Sequence, residues 1–280
     1  MEEQSPNLDQ ATYWTQSAGP TWVELNDDLD RQIGPLGAAA IAALAPKAGE
    51  RIIDIGCGCG QTVLALAEAV GPRGGVLGVD ISEPMLAVAR RKAEAAGAVG
   101  VRFLEADAQV CAFEPGAADA VYSRFGVMFF ANPAEAFANI RRALKPGGRL
   151  AFVCWRGMQE NPWMTVPLGA GLRHLAPPPP PEPNAPGPFA FADAERVRGL
   201  LAAAGFSGIE IRAHDQKLSN DPAASMRTAL RVGPLGGLLR ENPDARQAVE
   251  AEVRAALEDH IVDGRVMMDS ATWIVTARNP

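Results

Sequence analysis

The stretch DIGCGCG, residues 54–60, decides the fold of this 280-residue chain. It begins at the end of a short, mainly apolar run, residues 51–55, and leads into an amphipathic run, residues 61–70. Where a strand turns into a helix, glycines let the backbone approach a ligand closely, and the helix N-terminus offers unpaired N–H groups. Residues 54–60 therefore predict a ligand-binding turn between a first strand and its helix.

Outward from this turn, short β-rich runs alternate with amphipathic runs, which is typical of a parallel sheet covered by helices. The chain is therefore predicted to be an α/β protein. The predicted strands are residues 51–55, 75–79, 101–105, 118–122, 149–154, 209–214 and 271–277. The predicted helices are residues 61–70, 83–96, 133–144, 193–204, 222–240 and 244–260, with breaks expected at Gly233-Pro234 and Asn242-Pro243.

These segments divide the chain into three predicted parts. Residues 46–218 and 264–280 form the α/β core, and residues 1–45 form an N-terminal helical segment. Residues 219–263 form a helical cap inserted between the sixth and seventh strands. Residues 177–188 are rich in proline, which neither donates a backbone hydrogen bond nor continues a helix, so we predict a stiff surface loop there.

Composition narrows the range of functions. Nucleic-acid binding depends on clustered lysine and arginine side chains. The net charge of this chain is −7, so a nucleic-acid partner is not expected. The sequence has no membrane-spanning apolar run and no signal-peptide pattern at residues 1–10, which favours a cytoplasmic protein. The four cysteines are expected to be free thiols, and Cys57 and Cys59 lack a second ligand pair at zinc spacing, so no metal is expected. Nothing in the sequence points to a particular oligomeric state.

The spacing of the glycines distinguishes a dinucleotide-binding turn from other ligand-binding turns. A dinucleotide fingerprint that starts at Gly56 needs a third glycine at position 61, which is Gln61. Asp80 ends the second strand, where a carboxylate can bind ribose hydroxyls, and Asp107 follows the third, where it can accept a hydrogen bond from an adenine amino group. Either aspartate alone could instead cap a helix. The three features at successive strand ends point together to one ligand site.

Four motifs, taken in order, resemble those of the class I S-adenosylmethionine (SAM)-dependent methyltransferases. The resemblance is strong over residues 13–156 and is greatest to the small-molecule enzymes around the quinone-biosynthesis C-methyltransferases. The motifs are residues 52–60 (IIDIGCGCG), 78–82 (GVDIS), 107–108 (DA) and 144–150 (LKPGGRL).

The resemblance implies a Rossmann-like seven-stranded sheet in the order 3-2-1-4-5-7-6, with strand seven antiparallel and helices on both faces. It implies SAM as the methyl donor, S-adenosylhomocysteine as the product, and an N-terminal segment that closes over the cofactor. Gly56 and Gly58 would face the methionine part of SAM, Asp80 would hold the ribose, and Asp107 with Ala108 would frame the adenine. Further cofactor contacts are expected from Asp54, Cys57, Ile81, Met85, Ser123, Trp22 and Tyr13.

The acceptor region departs from the enzymes that methylate adenine or glutamine nitrogen. Those enzymes carry an Asn- or Asp-Pro-Pro-aromatic motif after strand four, whereas this chain has SRFGVMFF at residues 123–130. An apolar floor suited to a small organic acceptor is expected instead. Its predicted lining is Phe125, Met128, Trp155 and Trp163. Arg124 has two interpretations, a group that orients an acidic acceptor or a partner in a structural ion pair.

A hydroxyl or carbon acceptor would need a base, and His174, which follows strand five, is the first candidate, ahead of His214 and His260. Each could also be a surface or packing histidine. Tyr13, Trp14 and Trp22 could attract the sulfonium through their aromatic faces or simply pack on the sheet.

Three functional hypotheses remain at this stage. They are a small-molecule methyltransferase, a nicotinamide-dependent oxidoreductase, and a protein of the SAM-binding fold without transferase activity.

Overall fold

A mixed sheet organises the computed structural model, which describes residues 7–179, 182 and 184–280. Residues 1–6 of the polar N-terminus and positions 180, 181 and 183 of the predicted proline-rich loop lie outside the described residues. The strand order is β3-β2-β1-β4-β5-β8-β6, and the short β7 pairs with β8. The strands are β1 (Arg51–Ile55), β2 (Gly75–Asp80), β3 (Val101–Glu105), β4 (Ala118–Arg124), β5 (Leu144–Trp155), β6 (Ser207–Asn220), β7 (Ile261–Val262) and β8 (Arg265–Arg278).

The first five strands of this order run parallel, and β8 is antiparallel to both β5 and β6. The predicted order is thus confirmed, with β8 in the place of the predicted seventh strand. The additional strand β7 forms a hairpin with β8 through Asp263 and Gly264, whose φ angles are 51° and 75°. An Asp-Gly pair is a strong signal for such a two-residue hairpin turn. The sequence therefore contained this signal, although the strand was not predicted.

Helices cover both faces of the sheet and one end of it. They are α1 (Leu8–Thr12), α2 (Ala18–Glu24), α3 (Asn26–Leu44), α4 (Gln61–Val70), α5 (Glu83–Ala95), α6 (Pro133–Ala143), α7 (Pro162–Gly171), α8 (Ala194–Ala203), α9 (Pro222–Arg231), α10 (Gly233–Glu241) and α11 (Arg246–Glu258). A π-helical turn, Tyr13–Ser17, joins α1 to α2. The sequence did not predict α7, whose residues include two prolines, Pro162 and Pro167.

Two separate groups of buried apolar side chains hold these layers together. The larger one lies between the sheet and its helices, where Phe137 packs against Phe152 and Phe191 with ring centroids 5.8 Å apart in both pairs. The smaller one joins α7 to α9, α10 and α11, the last three of which we call the cap helices. Because the two groups are distinct, the cap helices and α7 have an apolar core of their own. Among the described helices, none is both long and apolar enough to cross a membrane.

Candidate active site

A large cavity, which we call the sheet-edge cavity, opens where the parallel strands end. Its wall includes the residues that follow β1, the end of β2, the residues that follow β3, and the ends of β4 and β5. It encloses about 1510 Å³ of empty space, counting the part open to solvent. The sheet-edge cavity therefore lies at the edge where open α/β sheets bind ligands.

The glycine turn after β1 forms one wall of this cavity with its backbone. Gly56 has a φ of +67°, and a Cβ at this position would lie 2.7 Å from the Cα of Gly126. Gly58 also has a positive φ, +54°. The N–H groups of Gly56 and Cys57 both donate to the carbonyl of Val79, at 2.8 and 3.1 Å. Only glycine fits at position 56, because the backbone after β4 comes too close for any side chain.

Asp80, at the end of β2, presents a buried carboxylate to the cavity. Its Oδ2 accepts a hydrogen bond from the Gly58 N–H at 2.8 Å, and its Oδ1 accepts one from the Ser82 N–H at 2.9 Å. Burial raises the pKa of this carboxyl, and the backbone hydrogen bonds from Ser82 and Gly58 act against that rise. An ionised carboxylate offers about four acceptor sites. Asp80 can therefore hold the glycine turn and also accept hydrogen bonds from two ligand hydroxyls.

Asp54 and Ser123 lie behind the turn and are not among the described residues that line the cavity. The Asp54 side chain is fully buried, and its Oδ2 accepts a hydrogen bond from the Thr62 hydroxyl at 2.5 Å. Burial raises the pKa of Asp54 to about 7. The Ser123 hydroxyl donates to the Ile55 carbonyl at 2.8 Å. Both residues support the turn from beneath, so neither is placed to contact a ligand directly.

The other predicted cofactor residues all line the sheet-edge cavity. They are Gly56, Cys57, Gly58, Asp80, Ile81, Met85, Asp107, Ala108, Trp22 and Tyr13. They come from five separate segments of the chain. The fold therefore brings together ten residues that the sequence could only associate through motifs.

The N-terminal helices cover this cavity with aromatic side chains. The Trp14 ring makes edge-to-face contacts with Trp22, at 5.7 Å between centroids, and with Phe129, at 5.0 Å. The Ser82 hydroxyl donates to the Trp14 carbonyl at 2.8 Å, which fixes this segment to the end of β2. The N-terminal segment thus both packs on the domain and presents aromatic rings to the cavity.

Arg124, at the end of β4, forms an ion pair with Asp30 of α3. Its Nη2 lies 2.9 Å from Asp30 Oδ1, and its Nη1 donates to Gln61 Oε1. Lys92 of α5 also contacts Asp30, at 3.3 Å. Of the two interpretations of Arg124, the ion pair describes this structure. Sequence analysis missed Asp30 as a cavity residue, because its contact with Arg124 joins positions 94 residues apart.

The four predicted acceptor residues also line the cavity, and three of them form an aromatic cluster. The Phe125 ring lies parallel to that of Trp155 at 4.2 Å between centroids, and Trp155 contacts Trp163 at 4.9 Å. Phe125 has a φ of +61°, a conformation that costs a bulky residue roughly 1–3 kcal/mol. The Phe125 N–H compensates in part by donating to the Val153 carbonyl at 3.0 Å. Met128 completes this apolar wall.

His174 lies outside this cavity, contrary to the sequence-based expectation. It follows α7, and its Nε2 lies 3.8 Å from Glu252 Oε1 of α11. The ten residues of α7 carry the chain about 15 Å along the helix axis, away from the end of β5. His214 and His260 are likewise absent from the described lining of the cavity. We therefore do not retain a histidine as a base.

Within the described part of the chain, no group of three or more His, Cys, Asp or Glu side chains is arranged to hold a metal ion. The four cysteines are free thiols, and burial raises the pKa of Cys59 to about 12. The Cys59 thiol in the glycine turn is therefore protonated at neutral pH.

Comparison with known proteins identifies a domain and a fold. Residues 52–148 match the family model described as a methyltransferase domain, and no curated relative matches the sequence. A putative methyltransferase from Bacillus halodurans is 22% identical with a TM-score of 0.57, over 87% of this chain and 98% of that one.

Two further solved structures share the fold. Phosphoethanolamine N-methyltransferase 2 from Haemonchus contortus, crystallised with phosphomonomethylethanolamine and S-adenosylhomocysteine, is 19% identical with a TM-score of 0.61, over 100% of this chain and 62% of that one. The cyclase SpnF is 23% identical with a TM-score of 0.52, over 88% of this chain and 80% of that one. The fold and the domain match agree: residues 52–148 of this chain carry a methyltransferase domain, and the sheet that contains it has the fold of the methyltransferases compared.

Proposed function

We propose that this chain binds SAM in the sheet-edge cavity and transfers its methyl group to a small organic acceptor. The observation that carries the proposal is the division of one cavity into two unlike halves. One half lies at the ends of β1, β2 and β3 and has the glycine turn, Asp80 and Asp107. The other lies at the ends of β4 and β5 and has the clustered rings of Phe125, Trp155 and Trp163. A polar nucleoside-binding half beside an apolar half suits a methyl donor and an apolar acceptor.

The residues present fit SAM. Gly56 and Gly58 keep the wall of the cavity free of side chains, so the methionine part can lie against backbone. The Asp80 carboxylate keeps acceptor sites for the ribose hydroxyls, and Asp107 with Ala108 lines the cavity one strand further along, where the adenine would lie. The rings of Trp14 and Trp22 would cover the site and favour a positive charge beneath them.

Bound SAM supplies an activated methyl group on a sulfonium. The task of the protein is then to hold the acceptor in line with that methyl group and to exclude water. Positioning of this kind can be worth roughly 7–11 kcal/mol. Phe125 and Trp155 orient a flat or apolar acceptor, and the N-terminal helices close the cavity over it. A nucleic-acid acceptor is disfavoured by the net charge of −7, and a cytoplasmic location remains a prediction from the sequence.

Isothermal titration calorimetry of the Asp80→Ala and Asp80→Asn variants tests the binding part of this proposal. Asp80→Ala should lose SAM binding, and Asp80→Asn, which keeps one oxygen acceptor and the size of the side chain, should bind with intermediate affinity. Asp259→Ala, at an exposed position after α11, serves as the control. Near-wild-type affinity in a folded Asp80→Ala protein would refute the role of Asp80. Binding of NAD in place of SAM would refute the proposal as a whole.

Incubation with methyl-labelled SAM and separate small-molecule, nucleic-acid and protein extracts tests the acceptor class. Label is expected in the small-molecule extract. Label in either macromolecular extract would overturn the proposed acceptor. Tight SAM binding without label in any extract would favour a SAM-fold protein without transferase activity.

A further inference from the structure

A second cavity, which we call the cap cavity, lies between α3, α7, the β6–β8 pair and the cap helices. It encloses about 540 Å³, counting the part open to solvent. Its wall is mostly apolar and includes Pro167, Leu218, Leu235, Val266 and Met268. A mostly apolar wall with a few polar groups is what small-molecule sites have in common.

The cap cavity adjoins the sheet-edge cavity. Trp163, Met164 and Val232 line both of them. These three side chains therefore face the two spaces from a shared wall. Met164 is unbranched and adaptable, so a change in its rotamer alters this wall without moving the backbone.

Two buried polar atoms in residues of the cap-cavity wall have no hydrogen-bond partner among the described residues. They are Gln32 Oε1, from α3, and Thr228 Oγ1, from α9. The two residues are only 9% and 3% exposed. An unsatisfied buried polar group costs about 1–3 kcal/mol, so a native protein keeps one where a water or a ligand pairs with it.

Neighbouring polar side chains of the same wall are already engaged elsewhere. The Asn220 side chain donates to the Asp28 carbonyl at 3.1 Å. The Ser219 hydroxyl accepts a hydrogen bond from Arg265 Nε at 2.6 Å. Gln32 Oε1 and Thr228 Oγ1 thus differ from these neighbours in having no hydrogen-bond partner among the described residues.

The chemistry of the two atoms defines the group that they would recognise. An amide oxygen only accepts hydrogen bonds, whereas a threonine hydroxyl both donates and accepts. A hydroxyl group has the matching chemistry, since it can donate to an amide oxygen and accept from a threonine hydroxyl. The rest of the ligand must be apolar to match the wall.

We propose that the cap cavity binds the far end of an elongated, mainly apolar methyl acceptor that carries a hydroxyl group there, recognised by Gln32 and Thr228. This inference rests on the proposed function in treating the ligand as the acceptor. The acceptor then extends past Trp163 and Met164 into the sheet-edge cavity, where its reacting end meets the methyl donor. Gln32 and Thr228 act as specificity-determining residues that do not touch the reacting atoms.

Calorimetric titration of the full chain, saturated with S-adenosylhomocysteine, with 4-hexylphenol and 4-hexyltoluene tests this proposal. The two probes have nearly the same shape, because a methyl group takes the place of the hydroxyl group. The phenol should bind about tenfold or more tightly than the toluene, because a methyl group leaves Gln32 Oε1 and Thr228 Oγ1 unpaired. Equal affinities, or no binding of the phenol, would overturn the proposal.

The variants Gln32→Met and Thr228→Val remove the two polar atoms with little change in shape. Each should weaken phenol binding by about tenfold and leave the affinity for S-adenosylhomocysteine unchanged. Resistance to urea should stay the same or increase, because a buried unpaired atom has been removed. If both variants bind the phenol as well as wild type does, the two atoms pair only with water and the inference is wrong.

The position of the probe distinguishes the cap cavity from the sheet-edge cavity. Ala229→Phe places a ring in the cap cavity and should abolish phenol binding, whereas Ala223→Phe, at an exposed position of the same helix, should not. In a crystal structure the hydroxyl should lie beside Gln32 and Thr228, with the alkyl chain directed towards Trp163. A probe found elsewhere would refute the inference. Failure of S-adenosylhomocysteine to bind, with the phenol still bound in the cap cavity, would instead refute the proposed cofactor.

Discussion

Replacement of Asp54 by asparagine should change how the stability of this protein depends on pH. Asp54 is fully buried beneath the glycine turn, and its Oδ1 has no hydrogen-bond partner within the described residues. Burial raises its pKa from 3.8 to about 7. Asparagine keeps the shape and the oxygen that accepts from Thr62, but it cannot ionise.

The size of the effect follows from proton linkage. The folded protein keeps a proton on Asp54 up to about pH 7, whereas the unfolded chain releases it near pH 4. The folded state therefore binds more protons between these values, and its stability falls as the pH rises through that window. About two pH units of this window lie above pH 5. Each unit lowers the free energy of unfolding by about 1.36 kcal/mol. Wild type should lose roughly 3 kcal/mol between pH 5 and pH 8 through this group.

Urea unfolding of wild type and Asp54→Asn at pH 5, 6, 7 and 8 measures this loss. The free energy of unfolding of wild type, relative to the variant, should fall by roughly 3 kcal/mol across the series. Asp80, whose pKa is also raised, is present in both proteins, and its charge contributes to the raised pKa of Asp54, so the measured difference includes this coupling. Asp259→Asn, at an exposed site, should follow wild type at every pH. Parallel curves for wild type and Asp54→Asn would show that Asp54 is ionised throughout, and the reasoning from burial would be refuted.

Two other substitutions have definite expected outcomes. Gly56→Ala should lose S-adenosylhomocysteine binding in calorimetry and about 1–3 kcal/mol of stability, because its Cβ would lie 2.7 Å from the Gly126 backbone. Gly49→Ala shares the positive φ but has no atom within 4 Å of the added Cβ, so it should keep full binding; equal binding by both variants would contradict the role of position 56. Tyr122→Phe removes a buried hydrogen bond of 2.9 Å to the Gly37 carbonyl and should cost about 1–2 kcal/mol in urea unfolding. An unchanged unfolding midpoint would show that water replaces that bond.

The sequence by itself determined the alternation of strands with helices and the position of the glycine turn. Both depend on local patterns, since β-rich runs, helix periodicity and glycine spacing are properties of neighbouring residues. The order of the strands in the sheet was implied only by the resemblance to the class I SAM-dependent methyltransferases. The cavity-lining positions at the ends of β1, β2 and β3 could also be identified, because the ends of parallel strands fall at the same edge of the sheet. Tyr13, Trp22 and Met85 were expected only from the resemblance, since they lie on helical segments. The hairpin at Asp263-Gly264 was equally local and could have been predicted from its turn pair.

The tertiary structure decided which side chains line the sheet-edge cavity and which lie behind its wall. Asp54 and Gly56 are two residues apart in the sequence, yet one is buried against Thr62 and the other lines the cavity. His174 follows strand five as expected, but α7 carries it away from the site.

The ion pair between Asp30 and Arg124 and the unpaired atoms of Gln32 and Thr228 depend on contacts between distant segments. Such contacts arise from the packing of α3 and the cap helices on the sheet. No local pattern encodes them, because the free energy that fixes them comes from burial in the folded chain rather than from the preferences of neighbouring residues.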